Sequence, residues 1–80
     1  MLVRLSGQLR SAADKLEVVE VQATTIGELL NKLVERYPQF AAHIETGIAV
    51  SIDGEIYRDN WNTKIPRDSE VFLLPRIPGG

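Results

Sequence analysis

From Leu2 to Leu9, apolar and polar positions alternate. Val3, Leu5 and Leu9 share one parity, and Arg4, Ser6 and Gln8 the other. A period of two is the pattern of a strand with one buried face, so a first strand is predicted here. Gly7 interrupts it and marks a weak point or bulge. Ser11-Ala12-Ala13-Asp14 reads as a turn. The stretch Leu16-Glu17-Val18-Val19-Glu20-Val21 is rich in β-branched residues and predicts a returning strand. The short connection favours an antiparallel hairpin.

The periodicity then changes. Ile26, Leu29, Leu30, Leu33, Val34 and Tyr37 recur at helical spacing. Thr25 and Glu28 stand at the separation of a capping box, in which the hydroxyl accepts from the Glu28 amide while the carboxylate reaches back. Pro38 cannot continue the hydrogen-bond ladder and disfavours helix at Tyr37, so the helix is expected to end near Arg36. Residues 40–44 read as an irregular segment or a short helical turn, closed by Gly47 in a left-handed conformation.

Alternation resumes with Ile48, Val50 and Ile52 against Ala49, Ser51 and Asp53. Asp53-Gly54 is a hairpin turn pair, with Glu55-Ile56-Tyr57-Arg58 as the return strand. A polar loop surrounds Trp61. Pro66-Arg67-Asp68-Ser69 suits a turn, and Glu70-Val71-Phe72-Leu73-Leu74 forms the last strand. The order is ββαβββ, an α+β arrangement in which one main helix must cover one face of a mixed sheet of four to five strands. With no second helix predicted between residues 48 and 74, a β-grasp fits better than a ferredoxin-like arrangement. The expected organisation is one domain over residues 1–75 and an extended tail over residues 76–80.

Composition narrows the chemistry. The 80 residues include no cysteine and one histidine, His43. Disulfides, thiolate metal sites and a cysteine nucleophile are excluded, and no metal site is expected. A net charge of −2 argues against a nucleic-acid surface, which needs clustered Lys and Arg. No apolar run approaches the ~20 residues of a membrane span, and Met1-Leu2-Val3-Arg4 is unlike a signal peptide. A soluble cytoplasmic protein is expected, with no nucleic-acid or membrane partner. No cluster reads as an acid, base or nucleophile, so no catalytic residue is assigned and the chain is not expected to be an enzyme.

The informative residues are the last ones. At average glycine usage, two terminal glycines arise by chance in roughly 0.5% of chains. Between residues 71 and 80 the only charged side chain is that of Arg76, and there is no Ser or Thr. Pro75-Arg76-Ile77-Pro78 favours extended, polyproline-like geometry. Gly79 and Gly80 lack side chains, so a partner's backbone can enclose them in a narrow channel. The Gly80 carboxylate is ionised and a poor electrophile. Activated as an adenylate, it becomes an acyl donor. A sulfur nucleophile would then give a thiocarboxylate, and an amine an amide. Neither outcome requires a catalytic side chain here.

The element order, the run Ser69-Glu70-Val71-Phe72-Leu73-Leu74-Pro75 and the terminal Gly79-Gly80 together resemble the MoaD/ThiS family of ubiquitin-like sulfur carriers. Leu9-Arg10 and Asn62-Thr63-Lys64-Ile65 are similar to its MoaD branch, whereas Asp68-Ser69 stands where the family frequently has Gly-Asp. The resemblance implies that an E1-like adenylyltransferase activates Gly80 with ATP and magnesium, which the partner rather than this chain binds. It further implies that a sulfurtransferase supplies sulfur. A carrier must leave its activating enzyme, so a monomer is expected when free. The sulfur would pass to an acceptor such as the molybdopterin synthase large subunit, with thiamine, cysteine and thionucleoside pathways as other destinations. Gly80 would be the covalent site, and Gly79, Pro78, Ile77 and Arg76 would occupy the partner's channel.

The last strand is apolar on both faces. Either it is central and covered twice, or Phe72 or Leu74, with Ile77, faces solvent as a docking patch; Phe72, Leu74 and Pro75 are the docking candidates. A lysine-linked modifier and a non-covalent β-grasp interaction module are the rival functions. Trp61 is expected as a lid at the core edge, Asp53 as turn chemistry, His43 as structural, and Leu29, Leu30 and Leu33 as core.

Overall fold

The computed structural model describes residues 1–7, 9–13, 15–58 and 60–75. Five strands form one mixed sheet: β1 (Leu2–Leu5), β2 (Val18–Glu20), β3 (Ile48–Ile52), β4 (Glu55–Tyr57) and β5 (Val71–Pro75). Three helices accompany them: α1 (Leu9–Ala12), α2 (Ile26–Arg36) and α3 (Phe40–Thr46). The sheet order is β2-β1-β5-β3-β4. The central pair, β1 and β5, is parallel, and every other pairing is antiparallel. A parallel pair needs a long crossover, and the segment containing α2 lies within it. This is the α+β, ubiquitin-like β-grasp expected from the element order.

Burial follows the strand period. Val3 and Leu5 of β1, Val19 of β2, Ile48, Val50 and Ile52 of β3, and Val71 and Leu73 of β5 are buried. They share one cluster with Ile26, Leu29, Leu30 and Leu33, the apolar stripe of α2. The start of α2 is capped as its sequence indicates, since Glu28 N–H donates to Thr25 Oγ1 at 3.2 Å. The reciprocal bond differs by one residue: Glu28 Oε1 accepts from Thr24 N–H at 2.8 Å, rather than from Thr25. Tyr37 ends the helix, its N–H donating to the Leu33 carbonyl, and Pro38 prevents continuation.

Two elements differ from the sequence expectation. The first strand stops at Leu5, not Leu9. Gly7 takes φ +56° and turns the chain, and Leu9 N–H and Arg10 N–H then close onto Ser6 O and Gly7 O. Leu9 is fully buried as the first residue of a helix, not as a strand residue. Its parity with Val3 and Leu5 is coincidental. Leu9 and Ala13 are both fully buried four residues apart, which is helical spacing. The ambiguous stretch after Pro38 is a helix of 7 residues, α3, anchored by the fully buried Phe40. Gly47 closes it at φ 127°, donating its N–H to His43 O at 2.9 Å.

The remaining boundaries shift by a residue or two. The second strand is limited to Val18–Glu20, and the last runs Val71–Pro75. At the β3–β4 turn, Asp53 and Gly54 both have positive φ, 50° and 91°, as a type I′ hairpin requires. Asp53 Oδ1 also accepts from Glu70 N–H at 2.8 Å, tying this turn to the approach to β5.

Candidate functional site: the end of the central strand and its outer face

Residue 76 follows directly on β5, the strand held between β1 on one side and β3 on the other. Against β1, Val71, Phe72 and Leu73 pair with Val3, Arg4 and Leu5. Against β3, residues 71–75 pair in register with residues 52–48, so Leu74 stands opposite Ala49 and Pro75 opposite Ile48. Beyond β1, Ser6 N–H donates to Leu73 O at 3.2 Å. Pro75 has no N–H to give the ladder, and the strand ends there. Its inner side is locked by Val71 and Leu73, 1% and 0% exposed. The departure point is thus fixed on both flanks and from beneath. The channel candidates Arg76, Ile77, Pro78 and Gly79, and the covalent candidate Gly80, lie outside the described residues.

Of the two alternatives for the last strand, the solvent-facing one applies at Phe72. Its ring is 39% exposed on the outer face, between Arg4 and Ser51 in the register. Leu74 and Pro75 are half-buried at the end of the same strand. The three docking candidates are therefore brought together on five consecutive residues, beside residue 76.

The patch is wider than those three. Ile56 on β4, 56% exposed, pairs with Ser51, which pairs in turn with Phe72. Leu2 on β1 is 59% exposed two residues before Arg4. Ala49, opposite Leu74, supplies a small apolar floor. Ile56 and Leu2 are missed when only the last strand is inspected. The signal for Ile56 was its position in β4: Glu55 and Tyr57 pair with the inward residues Ile52 and Val50, so Ile56 must face outward.

Other candidates fall elsewhere. Trp61 is 36% exposed, and its backbone does the structural work: Trp61 O accepts from Gly27 N–H at 2.8 Å. His43 packs edge-on against Phe40, with ring centroids 6.3 Å apart. Tyr57 donates its hydroxyl to Glu55 Oε2 at 2.6 Å. That bond raises the phenol above its ordinary value, with burial and the carboxylate charge adding in the same direction. Among the described residues no group of three or more His, Cys, Asp or Glu side chains is placed to hold a metal ion. No helix among them is long and apolar enough to cross a membrane.

A broad groove of about 1090 Å³ lies at the opposite end of β1 and β5, lined among others by Arg4, Lys32 and Arg67 and by Glu28, Asp68 and Glu70. Both signs of charge line it, with the Met1 amine beside the three cationic side chains.

No curated protein matches the chain. Solved structures match over almost its full length. CysO in the Amycolatopsis orientalis BexX/CysO complex is 20% identical, with TM-score 0.78, over 99% of this chain and 98% of that one. Mycobacterium tuberculosis CysO is 16% identical, with TM-score 0.79, over 95% of this chain and 98% of that one. SAMP1 from Haloferax volcanii is 23% identical, with TM-score 0.70, over 99% and 97%. At these identities the likeness establishes the β-grasp fold. The family follows from the sequence itself: the ThiS family model matches residues 3–80, and the chain belongs to that family of ubiquitin-like sulfur carriers.

Proposed function

We propose that this protein carries sulfur as a thiocarboxylate on Gly80, in the service of partner enzymes. The observation that carries the reading is the reach of the family match, which runs through residue 80 and so includes Gly79-Gly80. A central strand fixed on both sides supports it, because it presents the residues that follow from a constant position. In the first step an E1-like adenylyltransferase, using ATP and magnesium, joins the Gly80 carboxylate to AMP and releases pyrophosphate. The outer sulfur of a persulfide on the sulfurtransferase then attacks the carbonyl carbon. A C–S bond forms, the C–O bond to AMP breaks, and AMP leaves with the electron pair. A second thiol of the partner attacks the persulfide's inner sulfur, forms a disulfide with it and releases the thiocarboxylate. No residue of this chain needs to gain or lose a proton in any of these steps.

The end of β5, with Phe72 and Leu74 on its outer face and Pro75 at its tip, docks the partners, and residues 76–80 enter their channel. That CysO forms a complex with BexX supports docking by a chain of this fold. Of the destinations for the sulfur, we favour molybdenum-cofactor synthesis, with the molybdopterin synthase large subunit as acceptor. The resemblance of Leu9-Arg10 and residues 62–65 to the MoaD branch supports this. The carrier acts in the cytoplasm and is a monomer between transfers.

The test is ATP–pyrophosphate exchange with the activating enzyme from the same organism. Exchange is expected with the full chain and lost when Gly80 is deleted, while circular dichroism stays unchanged. Exchange that survives the deletion would contradict the proposal. Activation followed by lysine-linked conjugates, with no sulfur incorporated, would assign the protein to the modifiers instead.

A further inference from the structure

β2 is an edge strand, and its hydrogen-bonding direction is set by its neighbour. Leu5 N–H donates to Glu17 O at 2.8 Å, Val21 N–H to Met1 O at 3.0 Å, and the Met1 amine to Val21 O at 3.1 Å. With Val3 opposite Val19, residues 17, 19 and 21 turn their backbone groups toward β1. In an antiparallel ladder the alternate residues turn theirs away. Val18, Glu20 and Gln22 therefore point N–H and C=O out of the sheet, along a free edge longer than the strand's formal bounds. Such an edge is a template for another strand.

Two cations from α2 occupy it. Arg36 Nη1 donates to Glu20 O at 2.6 Å, and Lys32 Nζ donates to Gln22 O. The spacings match. Two residues along a strand advance ~6.7 Å, and four residues along a helix ~6 Å. The two elements run in opposite senses here, residue 36 meeting residue 20 and residue 32 meeting residue 22. Consecutive outward carbonyls of the edge are thus taken by side chains one helical turn apart, and each brings a positive charge and a long stem across the path of an incoming strand.

We propose that Lys32 and Arg36 close the β2 edge, and that without them a second copy of this chain pairs there, β2 against β2. Such a pairing is isologous, the same edge being used by both copies. It is independent of the chemistry at Gly80, because neither cation lies on β5 or on the outer face described above.

The test is sedimentation velocity over a concentration series, comparing wild type with Lys32→Met/Arg36→Met, which keeps the apolar stems. A control variant, Arg58→Met, removes a cation next to β4, at the other edge of the sheet. The edge variant is expected to shift from monomer toward dimer with concentration, while wild type and the charge control stay monomeric. Backbone amides of Val18 and Glu20 should gain protection from hydrogen exchange as the edge variant associates. An edge variant as monomeric as the control would overturn the proposal, as would a wild type that already dimerises with those amides protected. If the double variant does not fold, Lys32→Met and Arg36→Met are read singly against the same criteria. Each opens one carbonyl, and monomers throughout would again overturn it.

Discussion

Ser6 donates its backbone N–H to the carbonyl of Leu73, 3.2 Å away. The bond joins the turn that ends β1 to the strand that leads out of the domain. It depends on the chain reversing immediately afterwards, at Gly7, where φ is +56°. A Cβ there would meet no atom within 4 Å, so for alanine the cost of substitution is backbone strain alone. Gly7→Ala is expected to destabilise the protein by about 1–2 kcal/mol, measured by urea unfolding. The effect on sulfur transfer should exceed the loss of folded population, because the strand that positions residue 76 loosens with the turn. A variant as stable as wild type would show that the turn carries no strain.

Phe72 and Leu73 are neighbours with opposite duties. Leu73→Ala opens a cavity in a fully buried position and is expected to cost about 2–5 kcal/mol. Phe72→Ala removes a side chain exposed on the outer face, and is expected to cost about 1 kcal/mol or less. Docking should show the reverse order once both are compared as folded protein. Titration against the activating enzyme, for instance by calorimetry, should find Phe72→Ala weakened and folded Leu73→Ala close to wild type.

The start of α2 offers a local stability test. Thr25→Ala removes the acceptor of the Glu28 amide and is expected to cost about 1 kcal/mol. Carrier function should stay intact in the remaining folded protein, since the cap lies at the far side of the domain from Pro75. A loss of transfer larger than the loss of stability would show that α2 takes part in docking.

Much of this was legible because local and global signals agree. The capping pair, the stripe from Ile26 to Leu33 and the alternation from Ile48 to Ile52 each answer to one period. The mixed sheet with one main helix on one face follows from the order of these elements. The region from Ser6 to Ala13 was misread because Leu9 satisfies two periods at once, and the positive φ of Gly7 decides between them. Phe40–Thr46 was ambiguous because a two-turn helix shows too few repeats of its stripe to exclude irregular chain. The outer patch was only partly visible. Exposure of Phe72 depends on which side of the sheet α2 covers, and strand periodicity alone does not settle that choice. Ile56 joins the patch through pairing across two strands, which a single run of residues does not display.

Tyr57 provides a check on electrostatics. Its hydrogen bond to Glu55 raises its ionisation above the ordinary value. A group raised in the folded state contributes stability at pH below its unfolded value and loses it as pH climbs through the folded value. Its contribution is therefore present at neutral pH and lost in the strongly alkaline range. Absorbance titration of tyrosinate should show one phenol moving to lower pH in Glu55→Gln. An unchanged titration would mean that the bond does not persist in solution.

The central claim concerns one atom on Gly80, and tandem mass spectrometry of the peptide that carries it reads that atom directly. The protein is isolated after incubation with ATP, the activating enzyme and the sulfur donor. The account predicts a peptide ending at Gly80 whose mass exceeds the unmodified form by one sulfur less one oxygen, with the change on the last residue. A peptide that keeps both oxygens under conditions where adenylate forms, or one that continues past Gly80, would contradict it.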